Sequence, residues 1–232
     1  MSRLIRALMV LLLTPAMWIL VEEAGYFLTT NLPRAYSSWA MYGLVGYILV
    51  YVLLYLFIPR NVMGFFELLE HEFTHAIFAF LCLKGVTRLE VTPPNGRGKT
   101  EYDSATNTLI SLSPYALPPI ALLPILLKWL VFPDSHGALD LLIGLTLAFH
   151  LAGLVMELSQ VQPDITRTGV VHATWIILFA NTLLLVIALG VVLSDYAALE
   201  EYFSLAFARI PTAYDDVMRM LEEGLRGASF LE

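Results

Sequence analysis

The sequence predicts an all-α polytopic membrane protein, a bundle of about six transmembrane helices with a small β-rich element after the third. Three observations carry this. Hydrophobic residues make up 58% of the 232-residue chain and charged residues only 14%, against roughly 25% charged in an ordinary soluble domain. Mean hydropathy is +0.73. Apolar runs recur at the length a helix needs to cross the hydrocarbon core, about 20 residues, and a polar, turn-rich segment breaks their succession between Lys84 and Asn107.

The net charge of -7 gathers largely after Ser194, in "DYAALEEYF" and "YDDVMRMLEEGL". No basic stripe is present, which excludes nucleic acid as the expected partner; the lipid bilayer is the expected surrounding. The single cysteine, Cys82, has no partner for an internal disulfide and reads as a small packing residue. The first apolar run follows Arg3 and Arg6, as in a signal peptide, but no small-x-small cleavage site precedes Glu22 and Glu23. It is therefore expected to stay as an uncleaved first span.

The expected spans cover residues 4–30, 39–59, 62–84, 108–132, 138–160 and 171–194. Residues 1–194 make the bundle, and 195–232 form an amphipathic, acidic tail of one or two surface helices. Glu22 and Glu23 place charge in the first span. "NLPRAYSS" and "IPRN" separate the first three spans, with Asn61 an N-cap candidate. Lys84 and Gly85 close the third, the glycine as a C-cap. Val86–Thr92 and Lys99–Tyr102 have strand composition around "PPNGRG", so a hairpin at about 86–103 is expected. The fourth span holds Pro114, Pro118, Pro119 and Pro124. Each removes a helix hydrogen bond, and the freed carbonyls must be satisfied inside the bundle. The fifth span carries His150 and Glu157, and the sixth Asn181. Basic residues divide almost evenly between the two sides, so they set no orientation.

The chemistry concentrates in "ELLEHEFTHAIFAF", an apolar helix bearing Glu67, Glu70, His71, Glu72 and His75. Ionisable groups inside a span are costly and are usually functional. "HEFTH" matches H-E-x-x-H. At 3.6 residues per turn His71 and His75 stack on one face and can reach one metal ion. Neutral nitrogen donors suit Zn²⁺. Glu72, about 100° round the helix, is placed to take a proton from water at the metal. Glu67 shares the face of His71 and can orient it; Glu70 points elsewhere.

A catalytic zinc takes three protein ligands. Asp164 in "QVQPDITRTG" is the leading third donor, because Pro163 breaks the backbone beside it. His150 and Glu157 are alternatives; His136 and His172 sit near span ends as hydrogen-bonding residues.

H-E-x-x-H in a span, a β-rich element after it and Gln162-Pro163-Asp164 downstream together resemble the site-2 protease family of intramembrane zinc metalloproteases. The likeness runs from about residue 60 to 170. Ile165 stands where the family has glycine, and "LSPYALPP" occupies the place of a Gly-Pro segment. The resemblance implies cleavage of a peptide bond in or near a transmembrane segment of a membrane-protein substrate. It implies His71, His75 and Asp164 as zinc ligands and Glu72 as general base. The strand composition of residues 86–102 adds the expectation that a substrate is held extended on the hairpin edge. Asn107, Asn181 and Tyr115 are candidates to stabilise the oxyanion. Three other readings are an H-E-x-x-H protease with Glu157 as third ligand, a metal or proton transporter, and an inactive scaffold.

Overall fold

A computed structural model of the chain describes residues 3–36, 38–57, 60–92, 97–130, 136–158, 162–194 and 196–228. Among them the chain is mostly helical, with a single two-stranded sheet. In order come α1 (Arg3–Ala35), α2 (Trp39–Phe57), α3 (Arg60–Leu81), β1 (Val86–Thr92) and β2 (Arg97–Tyr102). They are followed by α4 (Thr108–Ala116), α5 (Pro119–Leu130), α6 (His136–Leu158), α7 (Pro163–Thr168), α8 (Val170–Leu193) and α9 (Tyr196–Ala228). Two compact units result: Arg34–Asn181, and Met1–Pro33 with Thr182–Glu232.

Among the described residues two helices, α6 and α8, are long and apolar enough to cross a membrane, and up to four spans result if helix pairs joined by a short break count as one. The six expected are not reached on this count. Prolines divide the predicted fourth span into α4 and α5, which meet at 72°. The third span has the length of a crossing in α3, but Arg60, Glu67, Glu70 and Glu72 give it too much charge to qualify on apolarity.

In the larger unit α2 and α6 touch through glycine. A Cβ on Gly43 would run into the Leu141 carbonyl of α6, and one on Gly144 into the Ala40 carbonyl of α2. Such reciprocal close approach is how small residues pack helices where lipid offers no hydrophobic drive. Lys128 of α5 pairs with Asp140 of α6 at 2.6 Å, both buried. The strands pair antiparallel, with Leu89 opposite Thr100 and Val91 opposite Gly98. The predicted turn at 93–96 lies outside the described residues.

Helix α3 ends in a left-handed residue, but it is Leu83 (φ 57°) and not Gly85. Lys84 N–H reaches the Ala79 carbonyl and Leu83 N–H the Phe80 carbonyl, each at 2.9 Å, closing the paired bonds of a Schellman end. Gly85 answers a different need: a Cβ there would lie 2.6 Å from Asp103 Oδ2, the oxygen that accepts its N–H.

In the smaller unit the acidic pair of α1 has a partner. Arg209 of α9 bonds both Glu23, which is buried, and Glu22 at 3.2 Å. Tyr202 stands edge-on to Phe27 and donates to the Leu20 carbonyl at 3.0 Å. The tail predicted as one or two helices is the single helix α9, with Pro211 inside it.

Candidate metal centre

Helix α3 divides its residues by face. Phe66, Phe73 and Phe80, seven apart, are exposed, whereas His71, Glu72 and His75 are only 5–6% exposed. The helix thus turns these ionisable groups inward and the phenylalanines outward. The two imidazole rings lie with centroids 4.9 Å apart.

Each imidazole is fixed by its Nδ1. His75 donates to the Ile110 carbonyl at 2.7 Å. A carbonyl only accepts, so Nδ1 carries the proton and Nε2 is left as a lone-pair donor. The Ile110 carbonyl is available because its helical partner would be the N–H of residue 114, and that residue is proline. Ser113 Oγ also donates to it, at 2.9 Å. Pro119 likewise withholds an N–H from the Tyr115 carbonyl, which accepts instead from Asn181 Nδ2 at 2.7 Å. The proline-rich run thus turns its freed carbonyls on the groups around the site, and Ile110 to Ala116 are all buried.

His71 donates its Nδ1 proton to Glu157 Oε1 of α6 at 2.9 Å, again leaving Nε2. Glu67, expected to orient His71 from its own helix, is not the partner. It lines the cleft beside Glu157.

Asp164 completes the group. Pro163 occupies the first position of α7, Asp164 lies in its first turn, and Gly169 ends it at φ 100°, a conformation that suits glycine. Ile165 packs against the buried Leu112, Tyr115, Ala173 and Ile177, and this anchors α7 while Asp164 faces the histidines. Asp164 Oδ2 lies 3.4 Å from His75 Nε2. Ligand atoms of His71, His75 and Asp164 all lie within 4.8 Å of one another. This buried group could hold a metal ion.

The other candidates are engaged elsewhere. His150 Nε2 bonds Asn181 Oδ1 at 2.9 Å. Asn107 caps α4, accepting from Ile110 N–H at 2.8 Å. Glu70 accepts from Thr74. His136 begins α6 and His172 stands in the first turn of α8, and neither joins the group. Tyr115 is different. Its ring stands edge-on to His71, centroids 5.2 Å apart. Among the described residues its hydroxyl is buried without a hydrogen-bond partner, within electrostatic reach of Glu157, Asp164 and Glu72.

His71, Glu72, Glu157 and Asp164 line a cleft of about 790 Å³ with both polar and apolar walls, bounded also by Gly98 and Lys99 of β2. Water and an extended chain segment can enter a space of this size. Comparison of the chain with protein-family models, curated proteins and solved structures gives no match.

Proposed function

We propose that the chain is an intramembrane zinc metalloprotease of the site-2 protease kind, hydrolysing a peptide bond in or near a transmembrane segment of another membrane protein. One observation carries the reading. Two histidines held through Nδ1, a carboxylate whose ligand atom lies within 4.8 Å of theirs and a separate buried glutamate gather beside a cleft that His71, Glu72 and Asp164 line, in an otherwise apolar helical chain.

The donors fit zinc. Tetrahedral Zn²⁺ takes N and O ligands at about 2.0–2.2 Å, which separates the ligand atoms by roughly 3.4 Å; His75 Nε2 and Asp164 Oδ2 are already 3.4 Å apart. A zinc ion bound there would polarise the scissile carbonyl and bring the pKa of water toward neutrality. Glu72 receives the proton of the attacking water and returns it to the leaving nitrogen. Tyr115, with its hydroxyl unspent, donates to the oxyanion that develops on the carbonyl. The hairpin borders the cleft, where an extended substrate can add as a further strand. About six membrane passages are kept in this reading, with α3 presenting phenylalanines to lipid.

The test is Glu72→Gln in the purified full-length protein, assayed with fluorescein-labelled casein as a generic substrate. Zinc content stays at the wild-type level and turnover falls by about 10²–10⁴-fold, the usual worth of a general base. Normal turnover by this variant would refute the role.

A further inference from the structure

The carboxylate of Glu72 is gripped by a second element besides its own helix. Thr100 Oγ1 of β2 donates to Glu72 Oε2 at 2.6 Å and stands 3.2 Å from the Glu72 main-chain oxygen. Gly98 lies two residues earlier, on the same face of the strand. A Cβ at Gly98 would overlap Glu72 Oε1 and its neighbouring carbons. Both carboxylate oxygens therefore rest against one strand. That strand is held in register by Leu89 opposite Thr100 and Val91 opposite Gly98.

A glutamate carboxylate turns easily about its last torsion. A general base cannot tolerate that freedom, because a displacement of about 1 Å can cost 10²-fold in rate. A short hydrogen bond to a charged acceptor is among the stronger single restraints a side chain can receive. We infer that β2 is the positioning element of the base: the Thr100 hydroxyl fixes Oε2, and the missing side chain of Gly98 leaves room for Oε1 at the cleft. Both residues act through Glu72. The sequence motif on α3 supplies the base, and the strand after it sets its aim. This rests on the protease reading.

Three variants of the full-length protein test it. Thr100→Val keeps the shape and loses the hydroxyl; Thr100→Ser keeps the hydroxyl and loses the methyl. Thr100→Val should lower kcat on labelled casein by about 10–100-fold, with KM, zinc content and melting temperature near wild type, while Thr100→Ser stays near wild type throughout. Glu72→Gln is the reference. If it is inactive while Thr100→Val is fully active, the positioning role is overturned and the protease reading stands. If Glu72→Gln turns over normally, both fall. Equal loss in the Ser and Val variants would assign Thr100 to packing and also overturn the inference. Carbodiimide labelling of Glu72, read by mass spectrometry, makes the same comparison without turnover. Labelling should be several-fold faster in Thr100→Val than in wild type or Thr100→Ser; equal rates in all three overturn the inference.

Discussion

His75 gives its Nδ1 proton to the Ile110 carbonyl, 2.7 Å away, an acceptor that exists because residue 114 is proline. The proline inside α4 and the tautomer of a histidine in the candidate metal group are thus one feature.

Pro114→Ala restores an N–H that competes for the Ile110 carbonyl. Zinc affinity should fall by up to about tenfold, since a weakened hydrogen bond is worth about 1 kcal/mol. Pro124→Ala, in α5, should leave it unchanged. A competition titration against a chelating dye reads both. Equal affinities for Pro114→Ala and wild type would mean that the carbonyl serves His75 regardless of the proline.

Glu157 plays the same part for His71. Glu157→Ala leaves a buried Nδ1–H without its acceptor, and zinc affinity should drop about 10–100-fold, as when an outer partner of a metal ligand is removed. Glu157→Gln, whose amide oxygen still accepts, should lose less. Complete loss of zinc from the alanine variant would instead make Glu157 a ligand, as a glutamate-ligand protease requires.

Tyr115→Phe separates a catalytic hydroxyl from an idle one. Turnover should fall by about 10²-fold, the cost of one oxyanion donor, with zinc retained. The melting temperature should not drop, because the hydroxyl removed had no partner to lose. Unchanged turnover would leave the oxyanion without a donor from Tyr115.

Much of the site was legible because local geometry encodes it. Helical period puts His71 and His75 on one face, and Pro163 marks the break that presents Asp164. The prolines of the fourth span announced freed carbonyls, and Ile110 and Tyr115 have side-chain donors on theirs. What the sequence could not show depends on register between separate elements. Glu67 shares a face with His71, yet His71 turns its Nδ1 to Glu157, 86 positions along the chain. Nothing local to Thr100 or Gly98 relates them to Glu72. Nothing in the sequence singles out Gly43 and Gly144, whose role appears only where α2 and α6 meet. Asn107 and Asn181 are oxyanion candidates in the sequence, whereas one caps α4 and the other bridges His150 to the Tyr115 carbonyl.

The central claim is that His71, His75 and Asp164 hold one zinc ion. Zinc stoichiometry of the purified protein, beside that of Asp164→Ala, tests it most directly. About one zinc per chain is expected in the wild type, for a site of three protein ligands, and far less in Asp164→Ala after the same dialysis. A wild type that holds no zinc, or an Asp164→Ala variant that keeps its full complement, would contradict it.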